Sequence, residues 1–177
     1  MGLPSGLQWA SCNIGAEKPS ELGLYFSWGN IEGHRIDEGY EFTEIVYAST
    51  PAASIAVDLP LDQDAARAYL GDHWRMPTPD EFQELIDNCT ITWTTQNGVA
   101  GNLFTSNLNG KYLFFPAAGY FTGTSLVNRG SKGNYWTSKY DSASLASKMG
   151  FDASSINSRY TNPRYYGFTV RAVLQPT

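Results

Sequence analysis

The sequence predicts an α+β domain, and three kinds of local signal lead to that prediction. Helix caps and apolar spacing occur together in two stretches, residues 62–70 and the segment that follows residue 78. Several short runs rich in aromatic and β-branched residues indicate strands, and glycine and asparagine between them indicate turns. Helices and strands do not alternate as they do in a βαβ protein. A chain of 177 residues can build one full core, so we expect a single domain over residues 1–177.

The first helix is predicted over residues 62–70. An aspartate at the N-cap accepts hydrogen bonds from amides of the first turn, so Asp62 is the expected cap. Gly71 follows the last helical residue, a position where glycine commonly ends a helix. The expected apolar stripe consists of Ala65, Ala66, Tyr69 and Leu70.

The second helix has the more specific start signal. Thr78 is the expected N-cap, Pro79 occupies the first helical position, and Glu81 completes a capping box. Phe82, Leu85 and Ile86 follow at helical spacing and form the predicted buried face.

Short strands are predicted on both sides of the helices, over residues 7–12, 24–28, 112–115, 147–151 and 168–174. Alternation in the fourth segment places Met149 and Phe151 inward, with Lys148 and Gly150 outward. In the last segment Phe168, Val170 and Ala172 share one face. The expected turns are at Asn97-Gly98, Asn109-Gly110, Gly123-Thr124, Gly130 and Gly133. The tryptophans expected in the core are Trp9, Trp28, Trp74 and Trp136.

Composition excludes several classes of partner. The formal net charge is -5 and the lysines and arginines are scattered, which argues against both a nucleic-acid footprint and a polybasic membrane patch. No apolar run has the length of a membrane span. The residues after Met1 lack the pattern of a signal peptide, so we expect none in this chain. Nucleic-acid binding and direct membrane insertion are therefore not expected.

Cys12 and Cys89 are too far apart for a CxxC motif. Two alternatives remain for them, a pair of buried thiols or one long-range disulfide. With His34 and His73 added, no cluster has the spacing of zinc ligands.

Residues 133–173 combine an aromatic frame with many tyrosine and small polar residues. Tyrosine offers a large amphipathic contact area at a low entropic cost, and serine and asparagine offer adaptable hydrogen bonds, as in antibody paratopes. A polar loop that only maintains solubility is the alternative. The density of tyrosine favours a contact surface, with Tyr140, Tyr160, Tyr165 and Tyr166 as its expected anchors.

Six segments in this order carry a resemblance to a known group of proteins. They are GLPSGLQWASCNIGA (residues 2–16), YFSWGN (25–30), DAARAYLGDHWRMPTPDEFQELIDNC (64–89), FFPAAGY (114–120), GNYWTS (133–138) and YYGFTVRAV (165–173). Together they resemble the Bacteroidales surface and phage-borne domains built on the C-type lectin fold. That group includes the formylglycine-generating-enzyme-like subclass and the variable proteins of diversity-generating retroelements. Residues 32–58 fall outside the resemblance and look like a variable loop insertion.

The resemblance implies a C-type lectin-like fold, with two short helices packed on small antiparallel sheets and long irregular loops. In retroelement variable proteins, asparagine-rich template codons are mutagenised, so that ligand-facing positions differ between copies while framing residues stay fixed. The scaffold positions implied here are Trp136, Met149, Phe151, Arg164, Gly167, Phe168, Val170 and Arg171. The implied ligand-binding or variable positions are Lys139, Tyr140, Asp141, Ser144, Ser147, Lys148, Gly150, Asp152, Asn157, Ser158, Tyr160, Asn162, Tyr165 and Tyr166.

No catalytic site is expected. Formylglycine-generating enzymes need a cysteine pair late in the chain, and no cysteine follows Cys89. Nucleophile-elbow, P-loop and HExxH motifs do not occur, and no nucleophile neighbours His34 or His73, so both histidines are expected to be solvated or structural.

A metal site is not expected either. The calcium-binding motifs EPN, QPD and WND of sugar-binding lectins do not occur. Asp58, Asp62 and Asp64 offer oxygen ligands, but helix capping and solvent exposure account for them better. Arg75 and Arg171 are expected to bind loop carbonyls or a carboxylate rather than a ligand. We therefore expect neither a metal nor a cofactor.

The function expected from these observations is ligand recognition without catalysis. The protein would be a retroelement-diversified variable protein whose partner is a protein or glycan receptor on a cell surface. Its expected location is extracellular, as part of a phage tail or a bacterial surface protein. The alternative is a surface adhesin of fixed specificity.

Overall fold

The computed structural model describes residues 1–44 and 59–174. Within these residues the helices are α1 (Ala65–Leu70) and α2 (Pro79–Asp87), and a 3-10 turn at Leu61–Gln63 precedes α1. The strands are β1 (Gln8–Trp9), β2 (Trp74–Arg75), β3 (Cys89–Gln96), β4 (Val99–Ser106), β5 (Tyr112–Pro116), β6 (Tyr120–Thr122), β7 (Ser125–Val127), β8 (Gly133–Tyr140), β9 (Leu145–Phe151), β10 (Ile156–Pro163) and β11 (Val173–Leu174). The fold is therefore mixed helix and sheet, as predicted. None of the described helices is long and apolar enough to cross a membrane.

The strands form small antiparallel sheets with the orders β1-β11-β2, β3-β4-β5, β10-β9-β8 and β6-β7. The first sheet joins the beginning of the chain, its middle and its end, because β11 pairs with β1 on one side and with β2 on the other. The second and third are meanders of consecutive strands. Antiparallel meanders need only short connections, which explains the many glycine and asparagine turns.

Helix α2 forms as predicted. The Thr78 side chain accepts a hydrogen bond from the Glu81 amide at 3.2 Å, and Glu81 accepts one from the Thr78 amide at 2.9 Å. Phe82 and Leu85 are fully buried, and Ile86 packs at the edge of the same core. Arg75 donates two hydrogen bonds to Glu81, at 2.7 and 2.6 Å, which confirms its structural role.

The predicted cap of α1 is wrong. Asp62 lies in the 3-10 turn, and Asp64 caps the helix through the amides of Ala66 and Arg67 at 2.9 and 3.2 Å. The same carboxylate accepts the Met76 amide at 2.9 Å, so a contact twelve residues away selects Asp64. Gly71 ends the helix as expected. Only the first turn of the predicted stripe is buried, since Tyr69 and Leu70 are exposed.

Several predicted strands are shorter in the structure. Residues 7–12 form only β1, residues 24–28 contribute isolated bridges at Tyr25 and Phe26, and residues 168–174 contribute bridges followed by β11. Gly133 is not a turn residue but the buried first residue of β8. The Phe151 ring lies 2.1 Å from the position that a Cβ of Gly133 would occupy, so only glycine fits there. Residues 112–115 and 147–151 lie within β5 and β9, as predicted.

The turn between β3 and β4 shows why the predicted Asn97-Gly98 turn needs both of its residues. Asn97 and Gly98 have φ values of 49° and 78°, the left-handed pair that a two-residue hairpin requires. The register of β3 and β4 is continuous up to this turn, from Cys89 opposite Ser106 to Gln96 opposite Val99.

Two of the aromatic cores lie on opposite faces of the β10-β9-β8 sheet. One contains Phe82, Phe104, Phe115, Tyr135 and Met149. The other contains Phe26, Trp28, Trp136, Phe168 and Val170. The indole N–H groups of Trp28 and Trp136 donate to the carbonyls of Thr137 and Phe26, each at 2.7 Å, so these large side chains are buried with their polar atoms satisfied.

Arg171 is fully buried and joins three parts of the chain. Its guanidinium donates to the Asn13 side chain at 2.9 Å, to the Phe114 carbonyl at 2.8 Å and to the Ala10 carbonyl at 3.4 Å. The same group lies 4.2 Å from the centre of the Phe115 ring. Burial lowers the pKa of Arg171 to about 10, so it stays charged at neutral pH. The structural role expected for Arg171 is confirmed.

Replacing Arg171 with methionine should lower the free energy of unfolding by about 3 kcal/mol, because the carbonyl of Phe114 and the amide of Asn13 lose a charged donor inside the core. Urea denaturation monitored by tryptophan fluorescence measures this change. Arg35→Met is the matched control, since Arg35 is exposed and its guanidinium forms an ion pair with exposed Asp37. The control should stay within about 0.5 kcal/mol of the wild type. Equal losses in the two variants would contradict the role assigned to Arg171.

Candidate ligand-binding face

The β10-β9-β8 sheet has one face toward the core and one face that is partly open. Tyr135 and Met149 are directly paired and point into the first aromatic core. Trp136, Lys148 and Tyr160 are paired across the opposite face. Trp136 is covered by Phe168, with ring centres 4.0 Å apart. The part of this face that carries Lys148 and Tyr160 stays accessible, and we call it the outer face.

Helix α2 packs against the inner face of this sheet, where Phe82 and Leu85 join Tyr135 and Met149 in one core. The Ser158 hydroxyl donates to the Gln83 side chain at 2.7 Å, and Arg159 forms an ion pair with Asp80. At one edge of the sheet, β8 forms a bridge with Thr169. Because α2 covers the inner face, a ligand that approaches a face of this sheet meets the outer one.

A cleft of about 290 Å³ opens on the outer face. Five of the predicted binding residues line it: Lys148, Gly150, Asp152, Tyr160 and Asn162. Lys132, Asn134, Ser155 and Thr161 also line the cleft but were not predicted. The sheet register brings together residues that are up to 30 positions apart in the sequence, which local patterns do not reveal.

Lys148 is half-buried at the centre of this cleft. Its ammonium donates to Asn134 Oδ1 at 2.6 Å. Asn134 is buried and donates in turn to the Gly119 carbonyl at 3.3 Å, so its orientation is fixed. The ammonium also lies 5.1 Å from the centre of the Phe168 ring and 5.9 Å from that of Tyr160. A buried amide and two aromatic rings thus hold the cation in place.

The electrostatics of Lys148 are unusual for a surface lysine. Burial, followed by the positive charge of Lys132, lowers its pKa to about 8. Among the described residues, no carboxylate lies within ion-pair distance of Lys148. Asp152 lines the same cleft, but its Oδ1 accepts hydrogen bonds from the backbone and side chains of Ser154 and Ser155. Within residues 1–44 and 59–174, the Lys148 ammonium therefore has no carboxylate counter-ion.

Tyr160 forms one wall of the cleft and is 45% exposed, so its ring can contact a ligand. The ring lies over Gly150, at 2.9 Å from the position of a glycine Cβ. Gly150, predicted as a ligand-binding or variable position, lines the cleft but is buried beneath Tyr160, which leaves no room for a variable side chain. A larger residue there would displace the ring.

Three tyrosines next to the cleft, Tyr120, Tyr165 and Tyr166, form what we call the tyrosine group. Tyr166 stacks on Tyr120 with ring centres 5.3 Å apart, and Tyr165 meets Tyr166 edge-on at 5.0 Å. Both Tyr120 and Tyr166 contact the buried ring of Phe168, which also lies beside Lys148. The cleft and the tyrosine group thus share one underlying ring and belong to the same region of the surface.

Four predicted binding residues are buried: Tyr140, Ser147, Gly150 and Ser158. Register shifts after Trp136 and after Asn157 interrupt the alternation of side chains in β8 and β10, so simple period-two counting fails there. Tyr140 packs 6.1 Å from Trp28, and Ser158 faces α2. Ser147 is 6% exposed, and its carbonyl accepts a hydrogen bond from Thr137.

The other predicted residues are accessible. Lys139, Asp141, Ser144 and Asn157 are exposed, and Asp152, Asn162, Tyr165 and Tyr166 are half-buried. Lys139, Asp141 and Ser144 lie around the β8–β9 hairpin, which Arg164 holds through hydrogen bonds to the carbonyls of Ala143 and Ser144. The implied scaffold residues are all buried.

The histidines and cysteines have structural positions. His34 is buried, hydrogen bonds to Glu38 and stacks on Tyr40 at 3.5 Å, whereas His73 is exposed. Cys12 and Cys89 are free thiols, and burial raises the pKa of Cys89 to about 11. Within residues 1–44 and 59–174, no three His, Cys, Asp or Glu side chains form a group suited to a metal ion. Asp58 lies outside the described residues, as do residues 45–58 of the expected loop insertion.

A larger cleft of about 670 Å³ lies between the N-terminal loops and contains none of the predicted binding residues. Its charged lining residues have both signs, with Lys18, Arg35 and Arg129 beside Glu21 and Asp37. Arg35 and Asp37 form an ion pair there. We favour the smaller cleft as the functional site, because convergent polar groups and a half-buried cation distinguish it, whereas Lys18 and Arg129 of the larger cleft are exposed.

Comparisons with known proteins give one match. Residues 92–173 match a family model described as Domain of unknown function (DUF8237), which spans less than half of the chain. Nothing matches in the comparisons with curated proteins and with solved structures. The matched stretch contains all of the residues that line the smaller cleft.

Lys148 should make the stability of the protein depend on pH in the alkaline range. Its pKa is about 8 in the folded protein and 10.5 in the reference state, so between these values the unfolded chain binds more protons. Stability should therefore rise with pH across this window, and the penalty for burying the charge is fully present below about pH 8. Lys148→Met should remove this contribution.

The measurement is urea denaturation at a series of pH values, with Lys111→Met as the control for an exposed lysine. The difference in unfolding free energy between wild type and Lys148→Met should change with pH, and the difference for the control should not. A pH-independent difference for Lys148→Met would mean that the cation is fully solvated.

Proposed function

We propose that this protein is a non-catalytic recognition domain with a C-type lectin-like fold, and that it binds its ligand on the outer face of the β10-β9-β8 sheet. The observation that carries the proposal is the convergence of Lys148, Tyr160 and Asn162 in one accessible cleft beside the tyrosine group. A protein or glycan receptor on a cell surface is the proposed partner, and a phage tail or bacterial surface protein is the proposed location.

Binding on this face is supported by its rigid, buried frame and by the exposed tyrosines above that frame. The frame beneath it is fully buried, with Trp136, Phe168 and Met149 at 0% exposure. Above it, Tyr160 and Tyr165 present aromatic surface with few rotatable bonds, and small polar residues surround them. Binding loses less entropy when the anchors are held rigidly before the ligand arrives.

The kinds of secondary-structure element in the described residues support the lectin-like part of the proposal. The described residues contain two short helices, small antiparallel sheets and long loops, as the resemblance implies. Pairing of β1 with β11 brings the two ends of the described chain into one sheet.

Replacing Tyr160 and Tyr165 with serine should abolish binding to a printed panel of glycans and purified bacterial surface polymers. Hot-spot tyrosines commonly contribute 2 kcal/mol or more, about a thirtyfold loss in affinity each. Tyr166 is left in place because its stacking on Tyr120 contributes to the fold. Fluorescence of the labelled domain on the panel is the measurement.

Tyr112→Ser is the matched control, because Tyr112 is 64% exposed on a different sheet. It should leave binding unchanged, and all variants should keep the melting temperature of the wild type within a few degrees. Retained binding in Tyr160→Ser/Tyr165→Ser would place the ligand elsewhere and contradict the proposal.

Diversification by a retroelement is the finer part of the proposal. The exposed positions that suit it are Asp141, Ser144, Asn157, Tyr160 and Tyr165, because side chains there change without disturbing the core. Lys139 is equally exposed, but it is a lysine. Buried Tyr140, Ser147, Gly150 and Ser158 do not suit it.

A fixed-specificity adhesin is the second candidate, and two observations favour it. Four of the fourteen implied variable positions are buried, where random substitution would destabilise the fold. Lys148 also occupies the centre of the cleft, and lysine codons end in a purine whereas asparagine codons end in a pyrimidine. Mutagenesis of the adenines in an asparagine codon therefore does not give lysine.

The DNA beside the gene separates the two candidates. Diversification predicts a near-copy of the region encoding residues 133–173, differing at adenines and lying next to a reverse transcriptase gene. Sequencing the genomic neighbourhood tests this. A locus with neither feature would exclude diversification and leave fixed specificity.

A further inference from the structure

We infer that the cleft around Lys148 binds the carboxylate of an acidic sugar, with the sugar ring against Tyr160. This inference rests on the proposed function, because it names the ligand class for the same face. It follows from the cation, the aromatic wall and the small polar side chains of the cleft.

The cation is available to an anion from outside. Of the three N–H donors of the Lys148 ammonium, one is taken by Asn134 Oδ1. No carboxylate of the described chain pairs with Lys148, and Lys132 adds a second positive charge to the rim of the cleft. A half-buried charge without a counter-ion is costly, and an incoming carboxylate would offset that cost with charge-assisted hydrogen bonds.

The charge distribution favours a single carboxylate over a polyanion. The cleft contains two lysines and Asp152 but no arginine, and the whole chain has a net charge of -5. A ligand with many negative charges would be repelled by the rest of the protein. A ligand with one isolated carboxylate needs only the local field of Lys148 and Lys132.

The aromatic wall favours a sugar as the carrier of that carboxylate. Tyr160 is exposed over Gly150 and lies 5.9 Å from the Lys148 ammonium, about the width of one pyranose ring. The negative face of an aromatic ring attracts the polarised C–H groups of a sugar. Ser155, Thr161 and Asn162 line the remaining surface, and their side chains both donate to and accept from hydroxyl groups.

An acidic peptide fits the site less well. Peptides commonly bind a sheet by adding a strand at a free edge, but the cleft opens on a face of the sheet and is lined by residues of all three strands. The cleft of about 290 Å³ also has the size of one or two sugar rings rather than of an extended chain.

The test compares two matched pairs of ligands by NMR titration, following the backbone amides of Lys148 and Gly150. Methyl glucuronide is compared with methyl glucoside, and the methyl glycoside of sialic acid with its neutral methyl ester. Each pair differs only at the carboxyl group. The acidic member of at least one pair should bind about tenfold more tightly or better, as expected for a charge-assisted hydrogen bond. Sodium acetate, a carboxylate without a ring, should bind at least about tenfold more weakly than the acidic sugar.

Three variants assign the effect. Lys148→Gln should abolish the preference for the acid, because it keeps a hydrogen-bond donor for Asn134 but loses the charge. Lys111→Gln removes the same charge from an exposed turn and should keep the preference. Lys148→Arg should retain part of it.

The preference should also depend on pH. Lys132, Asp152 and Tyr160 are the other titratable groups that line the cleft. The ligand carboxylate stays ionised from about pH 6 to about pH 9. Because Lys148 loses its proton near its pKa of about 8, the preference should decline as pH rises through that value.

Equal binding of both members in each pair, a preference that survives Lys148→Gln, acetate as effective as the sugars, or no binding of any sugar would each overturn the inference. The proposed function fails separately. If neutral and acidic sugars bind equally and Tyr160→Ser abolishes both, the binding face stands and only the carboxylate assignment is lost.

Discussion

The buried guanidinium of Arg171 is the interaction on which the rest of the structure depends. It joins the N-terminal segment at Asn13, strand β5 at Phe114 and the C-terminal segment that carries Arg171 itself. Backbone hydrogen bonds from Ala10 to Ala172 and from Ile14 to Val170 already link the two terminal segments, and the guanidinium adds the donors that tie them to β5. With this junction fixed, Phe168 and Val170 on the same segment are positioned against Trp136 and form the base of the outer face.

The outer face combines a rigid sheet with side chains that a ligand can reach. Side chains alternate along the strands, so Tyr135 and Met149 point into the core. Lys148, which precedes Met149, and its cross-strand partner Tyr160 lie on the opposite, accessible face. A neutral amide, Asn134, holds the lysine in place without neutralising it. An aspartate at that position would compensate the charge and stabilise the protein, but it would also remove the attraction for an anion. Binding sites commonly keep such unfavourable groups, at a cost to stability, because the ligand satisfies them.

Sequence reasoning succeeded where the determinants are local. Thr78, Pro79 and Glu81 specify the start of α2 within four residues, and the aromatic frame around Trp136 is buried as its composition indicates. It failed where distant contacts decide. Asp62 and Asp64 look equivalent as caps until the Met76 amide selects Asp64. Tyr140 and Ser158 look exposed until bulges and α2 are placed. Lys132 and Asn134 line the cleft because β8 pairs with β9, and this pairing is not visible in the sequence. The strand-like segment around Tyr135 was the one available signal, since it places Asn134 on the face opposite Tyr135.

The pairing of β1 with β11 has a mechanical consequence. Gln8 lies opposite Leu174, and Trp9 lies opposite Val173, so the strands nearest the two ends of the described chain lie side by side. A pulling force applied between those ends would first detach residues 1–7, where Leu3 and Leu7 are buried and Ser5 bonds to Glu84, and would then open the Gln8–Leu174 pair and the next one like a zipper. Strands loaded along their length resist force better because their bonds share the strain. A domain tethered through both ends would therefore yield at low tension, whereas one tethered through a single end would transmit the load without passing it through this sheet.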